Sequence, residues 1–145
     1  MYFLALATDY DGTLASDNSV SDETLSALER LRETGRKLIL VTGRELPDLK
    51  RVFSRLDLFD KVVAENGALL YTPKTEEERT LASAPPAAFV ERLNEKGVGP
   101  ISVGRSIVAT WEPHQTAALE AIRDFKRLYG MNYDVHDGYR FAKSD

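Results

Sequence analysis

The first 64 residues alternate three short apolar runs with two segments of helical character. The apolar runs at 3–9, 38–41 and 61–64 have the length of strands, and the first is apolar enough to predict a strand buried on both faces. Residues 22–34 and 46–56 lie between these runs and carry helical patterns. Because a strand–helix–strand–helix–strand order requires right-handed crossovers between parallel strands, the sequence predicts an α/β fold with a partial, Rossmann-like parallel sheet.

The pattern changes after residue 72. Residues 73–84 are polar, charged and proline-bearing, which predicts an exposed hairpin or linker. The remainder, residues 85–145, reads as helix, hairpin, helix, hairpin. It predicts helices at about 87–96 and 114–128, a first hairpin around Gly104-Arg105 and a second at the Asp137-Gly138 turn signal. We therefore expect three regions: an α/β part at 1–72, a linker or hairpin at 73–84 and an α+β unit at 85–145.

Composition excludes several classes of site. The 145 residues include no cysteine, so disulfides, thiolate zinc sites and thiol nucleophiles are ruled out. The net charge of −4 gives no reason to expect nucleic acid as a partner. The apolar start, MYFLALA, is short and lacks a basic leader, and no apolar stretch has the length of a membrane span. We expect a soluble, cytoplasmic protein without nucleic-acid or membrane partners.

Polar residues follow two of the predicted parallel strands. Asp9 and Asp11 end the first apolar run, Gly12 permits a sharp turn, and Thr42 ends the second run. Ligands collect at the carboxyl ends of strands in open parallel sheets. Two carboxylates facing one crevice can bind Mg²⁺, which then attracts a phosphate. One aspartate can attack phosphorus while the other transfers protons, and Thr42 with the amides after it can hold phosphate oxygens.

Each of these residues also has a purely structural interpretation. Asp-Gly-Thr is an ordinary turn sequence, Thr42 can cap the next helix, and Arg44 can be a surface residue. Arg105, His114 and the aromatic residues Trp111 and Tyr139 are interpreted first as surface, helix-start and packing residues.

The stretches DYDGTL and LILVTGR together resemble the first two motifs of the haloacid dehalogenase superfamily of phosphohydrolases. The resemblance implies that Asp9 is the nucleophile, that Asp11 is the general acid and base, and that Thr42, Gly43 and Arg44 bind the phosphoryl group. It also implies that Mg²⁺ is held by the Asp9 carboxylate and the main-chain carbonyl of Asp11, together with acids from a later motif.

The stretch AENGALLY, followed by an α+β segment, resembles the Cof-like branch of the superfamily. In that branch a cap enters after the third strand, so residues 1–72 would be core and residues 85–145 cap. Members often dephosphorylate sugar phosphates or other small phosphate esters. Asn66 borders the active site at this junction and is a candidate for substrate contact.

The sequence departs from the family pattern after the predicted cap. The family has a later lysine and an acidic motif, but Lys143 lies two residues from the end, Asp134 and Asp137 lie on a predicted hairpin, and Lys126 lies on a helix. We expect a chain that lacks the C-terminal part of the core and shows weak or no turnover alone. The first strand would then have an open edge, which predicts a homodimer through that edge unless the chain is a fragment.

Two rival functions remain open at this point. One is a non-catalytic phosphate-binding, sugar-binding or assembly protein on the same scaffold. The other is a receiver-like phospho-acceptor domain, which fits less well because Asp57 and Asp60 flank a loop instead of ending a middle strand.

Overall fold

A computed structural model of the chain describes residues 3–129. The chain divides into two compact units between Ala82 and Ser83, within the segment 73–84 for which the sequence predicts a hairpin or linker. The predicted second hairpin lies outside the described residues, as do His136 and the candidates Asp134, Asp137, Tyr139 and Lys143.

The first unit is built on a five-stranded sheet. Its strands are β1 (Ala5–Asp9), β2 (Lys37–Val41), β3 (Lys61–Ala64), β4 (Leu69–Thr72) and β5 (Glu77–Thr80), in the spatial order β1-β2-β3-β4-β5. β1, β2 and β3 pair in parallel, whereas β3–β4 and β4–β5 are antiparallel. The predicted α/β class with a partial parallel sheet is confirmed, and two antiparallel strands extend this sheet beyond β3.

Two helices connect the parallel strands. α1 (Asp22–Glu33) has Ser21 as its N-cap, whose hydroxyl accepts a hydrogen bond from the amide of Thr24. α2 (Leu46–Val52) is shorter than the predicted 46–56. It ends there because Phe53 adopts an extended backbone, with φ −135° and ψ 103°, and buries its ring against Tyr10 at a centroid distance of 5.4 Å.

The core of this unit lies around β2, β3 and the helices. Leu38, Leu40 and Val62 on the two inner parallel strands are completely buried, and Leu46 and Leu49 of α2 pack into the same cluster. The alternation of inward and outward residues along β2 and β3 places every second apolar side chain in this core.

β1 does not match the prediction of a strand buried on both faces. Within residues 3–129 it pairs on one side with β2 and forms an edge of the sheet. Phe3, Leu4 and Leu6 are 70%, 79% and 38% exposed. The apolar run has the composition of an inner strand, but no described strand covers its outer edge. The homodimer expected through this edge stays a prediction.

The second unit, described here to residue 129, contains α3 (Ala87–Glu95), a hairpin of β6 (Ile101–Val103) and β7 (Val108–Thr110), and α4 (Gln115–Tyr129). Leu93, Val98 and Ala121 form its small core, and the rings of Phe89 and Phe125 meet edge to face. Ion pairs join the two helices, including Arg92–Asp124 at 3.2 Å and Lys96–Asp124 at 3.0 Å.

In the part of the chain that the structure describes, no helix has the length and apolar character needed to span a membrane.

Candidate active site

The chain turns sharply where β1 ends. The Tyr10 carbonyl accepts hydrogen bonds from the amides of Thr13, Leu14 and Ala15, at 3.4, 3.1 and 2.8 Å. Gly12 has a φ of +70°, a left-handed conformation that costs glycine little. The extended backbone of β1 stops at Asp9, and the following residues form a compact loop beside the sheet.

A tight turn closes this loop. Ser16 and Ser19 exchange two backbone hydrogen bonds of 2.9 Å, and Asp17 and Asn18 between them both have positive φ angles. Aspartate and asparagine tolerate this conformation better than most residues, which makes the pair suitable for such a two-residue turn. The hydroxyl of Tyr10 donates to the Asn18 carbonyl at 3.2 Å and so ties the turn to the end of β1.

Asp9 and Tyr10 face different surroundings at the strand end. The Asp9 carboxylate is half-buried, and its Oδ1 accepts a hydrogen bond of 2.8 Å from the Tyr10 amide. The Tyr10 side chain is completely buried, and this burial raises the pKa of its phenol. The buried ring anchors the residue between the two aspartates.

Arg44 binds Asp11 through two of its nitrogens. Nε donates to both carboxylate oxygens, at 3.1 and 3.0 Å, and Nη2 donates to Oδ1 at 2.7 Å. The two side chains are only 20% and 26% exposed, which strengthens the pair relative to one on the open surface. The hydrogen bonds to Asp11 raise the pKa of Arg44 above its usual value, against the opposing effect of partial burial.

The same guanidinium contacts two further oxygens. Nη1 donates to Asp48 Oδ2 at 2.7 Å, and Nη2 also donates to Asn18 Oδ1. The guanidinium carbon lies 5.6 Å from the centroid of the Tyr10 ring. Partial burial of Asp48 acts to raise its pKa, but hydrogen bonds from Arg51 and Arg44 outweigh it and lower the pKa. Arg44 thus links the loop after β1 to the loop after β2 and to α2.

Thr42 directly follows β2, the strand that neighbours Asp9. Asp9 stands opposite Val41 in the β1–β2 register, so Thr42 follows at the same end of the sheet. Its side chain is 2% exposed, and its Oγ1 accepts a hydrogen bond of 3.1 Å from the Arg44 amide. The amides directly after Thr42 do not belong to a helix N-terminus, because α2 begins only at Leu46.

Asn66 approaches Gly43 closely. A Cβ placed on Gly43 would lie 2.7 Å from Asn66 Oδ1, so a larger residue at 43 would collide with that side chain. The Asn66 amide also donates to the Thr42 carbonyl at 3.3 Å, and the Glu65 amide donates to the Arg44 carbonyl at 3.0 Å. The loop after β3 is therefore held against the loop after β2.

The described residues fit Mg²⁺ only in part. Carboxylate and carbonyl oxygens of Asp9 and Asp11 are the donors that Mg²⁺ prefers. However, the Asp11 carboxylate is bound by Arg44, and within residues 3–129 no three His, Cys, Asp or Glu side chains converge as a metal cluster. Lys126, the one described candidate for the later lysine, is exposed in the last turn of α4.

Sequence reasoning did not identify Asn18, Asp48 and Glu65 as part of this region. Asp48 lies four residues after Arg44, a spacing that suggests ion pairing. Asn18 follows Asp17, and an Asp-Asn pair is typical of a tight turn. Glu65 is 1% exposed with a φ of +53°, and nothing in the local sequence marks a buried carboxylate there.

Known proteins similar to this chain include several phosphatases. The chain is 40% identical over 81 residues to the putative phosphatase YxeH of Bacillus subtilis, a match covering 53% of this chain and 30% of that protein. It is 25% identical over 142 residues to a glucosyl-3-phosphoglycerate/mannosyl-3-phosphoglycerate phosphatase of Persephonella marina, covering 84% of this chain and 53% of that protein.

A solved structure gives a consistent result. The subclass IIB sugar phosphatase BT4131 of the haloacid dehalogenase superfamily matches with a TM-score of 0.53 and 27% identity, over 85% of this chain and 49% of that one. The chain thus spans about half the length of the relatives that it matches over most of its residues. The resemblance predicted from the sequence is confirmed: the family model for haloacid dehalogenase-like hydrolases matches residues 6–129, and this chain belongs to that family.

Proposed function

We propose that this protein is a phosphatase that hydrolyses a small phosphate ester through an aspartyl-phosphate formed on Asp9. One observation carries the proposal: in a chain of this family, Asp9 and Thr42 lie at the same end of adjacent parallel strands, with Asp11 in the loop beside them. Ligands collect at such strand ends, and a nucleophile next to a hydroxyl suits a phosphoryl group.

The proposed reaction has two steps. An Asp9 carboxylate oxygen attacks phosphorus, the bond from phosphorus to the ester oxygen breaks, and Asp11 gives that oxygen a proton. A water molecule then attacks phosphorus and gives a proton back to Asp11. The bond from Asp9 to phosphorus breaks, which releases inorganic phosphate, restores the Asp9 carboxylate and leaves Asp11 protonated as it was at the start.

The second strand end supplies the proposed contacts to phosphate and substrate. The Thr42 hydroxyl, which already accepts the Arg44 amide, retains its own proton for donation to a phosphate oxygen. Gly43 is exposed and has no side chain, so a phosphate can approach its backbone. Asn66 lies against Gly43 and is the proposed substrate contact beyond the phosphate.

Mg²⁺ is the proposed cofactor, held by the Asp9 carboxylate and the main-chain carbonyl of Asp11. When bound, the ion supplies positive charge that offsets the repulsion between carboxylates and phosphate. Asp9 must then be ionised both to hold the ion and to attack, so the two roles require the same protonation state.

The proposed substrate is a small phosphorylated metabolite such as a sugar phosphate. The names of two relatives support this class, since one is a sugar phosphatase and the other acts on glycosyl phosphoglycerates. Because the chain spans about half of their length, turnover by this chain alone is expected to be weak.

One observation favours the alternative of phosphate binding without turnover. The Asp11 carboxylate is held by three hydrogen bonds from Arg44, and the same pairing would suit an ion pair that only joins two loops. In that case Thr42 and Gly43 would bind phosphate while the two carboxylates performed no chemistry.

An assay with an aryl phosphate ester and Mg²⁺ separates the two functions. We expect slow release of the phenol by the wild-type chain, loss of release in Asp9→Asn, and unchanged release in the control Asp22→Asn on the exposed start of α1. Equal rates in the wild type and Asp9→Asn would contradict the phosphatase. Binding of inorganic phosphate by calorimetry, without turnover, would establish the alternative.

A further inference from the structure

We infer that the Arg44 side chain is a positioning residue that orients Asp11, and that it is not a ligand of the substrate phosphate. This inference rests on the proposed function, because it assigns a role within the same site. It replaces the phosphate-binding role that the sequence suggests for this arginine.

The Arg44 guanidinium already uses most of its donors on protein oxygens. Each of its three nitrogens donates to a side-chain oxygen, on Asp11, Asp48 or Asn18. A guanidinium has five N–H donors, and these bonds use all but one of them. To bind a phosphate through two N–H groups, Arg44 would have to release Asn18 or one of its two carboxylate partners.

The charges around Arg44 also disfavour phosphate binding by its side chain. The guanidinium faces two carboxylates, so its single positive charge is more than balanced. A phosphate dianion brought to it would meet Asp11 and Asp48 as well as the arginine, and like charges at this distance repel. The carboxylate neighbours therefore favour retention of the present pairing over exchange for phosphate.

Arg44 is held more firmly than the backbone that carries Asp11. Asp11 lies within the glycine-dependent turn, beyond the end of β1, so the hydrogen bonds between β1 and β2 do not fix its backbone. Arg44 follows β2 and has both its main chain and side chain bonded, through Thr42, Glu65 and Asp48. A planar fork that contacts both oxygens of one carboxylate sets the rotation of that carboxylate as well as its location.

The same fork also secures the turn that closes the loop. Arg44 bonds the Asn18 side chain, and the Tyr10 hydroxyl bonds the Asn18 main chain. Asp11 and the 16–19 turn are thus held by one side chain from the neighbouring strand end. We expect that its replacement changes the chemistry that depends on Asp11 and leaves phosphate affinity nearly unchanged.

Side-chain NMR of ¹⁵N-labelled arginine tests this directly. The Arg44 Nε–H signal is identified by its loss in Arg44→Lys. We expect Asp11→Asn to shift this signal and saturating inorganic phosphate with Mg²⁺ to leave it in place. A signal that moves with phosphate occupancy and does not respond to Asp11→Asn would overturn the inference.

Kinetics supply a second, independent readout. Arg44→Lys should lower kcat about tenfold with KM within about twofold of the wild type, whereas loss of a phosphate ligand would raise KM. Arg51→Lys is the matched control, since Arg51 also bonds Asp48 but does not contact Asp11. If the wild-type chain neither turns over ester nor binds phosphate, the proposed function fails, and the response of the Nε–H signal to Asp11→Asn still decides the pairing.

Discussion

The two edges of the sheet differ in how they meet solvent. β5 is exposed along its whole length and carries Glu77, Glu78 and Arg79. β1 is also an edge, but residues 3–8 have no charged side chain, and Phe3, Leu4 and Leu6 are exposed. Charged side chains discourage an edge strand from pairing with another chain, so β5 has the features of a protected edge and β1 does not.

The composition of β1 therefore suits an inner strand, although β1 lies at an edge among the described residues. A strand edge can pair with its own copy in antiparallel fashion around a twofold axis. The uncharged β1 edge suits such a pairing, whereas the charged side chains of β5 disfavour it. The homodimer through β1 therefore stays a prediction. The difference between the β1 and β5 edges leads to four measurable effects.

The largest effect is expected from the inner strand beside β1. Leu40→Ala on β2 removes a side chain that is completely buried and should lower the free energy of unfolding by about 2–5 kcal/mol. Leu6→Ala on β1 should lower it by about 1 kcal/mol or less, because Leu6 is 38% exposed. Urea denaturation of both variants measures the difference, and equal losses would show that β1 is as buried as β2 in solution.

Self-association should depend on β1. Leu4→Lys introduces charge at the exposed edge and should weaken a β1-mediated dimer at least tenfold, about 1.4 kcal/mol. Leu81→Lys is the matched control, because Leu81 is 56% exposed just after β5. Sedimentation velocity over a range of concentrations measures both, and a wild-type chain that stays monomeric throughout would refute the dimer.

The reverse change should make β5 resemble β1. Replacing Glu77 and Arg79 with valine removes two charges from the protected edge and raises its β propensity. We expect this double variant to associate more strongly than the wild type, by up to about fivefold, which is the upper end of a single cross-strand contribution of about 0.2–1 kcal/mol. Light scattering at matched concentrations reports the change, and an unaltered scattering intensity would mean that these charges do not protect β5.

The smallest effect concerns the ion pair next to β1. Lys37, which stands opposite Ala5 of β1, donates to Asp60 at 2.9 Å, and the Leu38 amide donates to the second oxygen at 3.0 Å. The hydrogen bond from Lys37, helped by that amide, lowers the pKa of Asp60 below its ordinary value of 3.8.

Because the folded-state pKa is the lower one, the unfolded chain takes up the proton first as the pH falls. The stabilisation is therefore complete above the unfolded value and is lost on acidification through the folded value. We expect the wild type to lose more stability between pH 5 and pH 3 than Asp60→Asn, by less than about 1 kcal/mol since the pair is exposed. Thermal denaturation at the two pH values checks this, and parallel losses would contradict it.

Local sequence was sufficient for much of the fold. The Ser21 cap, the leucine spacing of α1 and the apolar run of β2 are each decided by neighbouring residues, and the structure places these elements where the patterns predict them. Element ends were predicted less well. α2 stops four residues early because Phe53 turns into the core to meet Tyr10, a partner distant in sequence.

Part of the candidate site was likewise predictable from local sequence, and part was not. Asp9, Asp11 and Thr42 stand out in the sequence because strand ends and turns are encoded locally, and the motifs DYDGTL and LILVTGR are enough to predict the family that the comparisons confirm. Only the tertiary structure decided that Arg44 binds Asp11 and that Asn66 lies against Gly43. Those facts depend on which strands become neighbours, and the energy of such long-range contacts is not contained in any short stretch of residues.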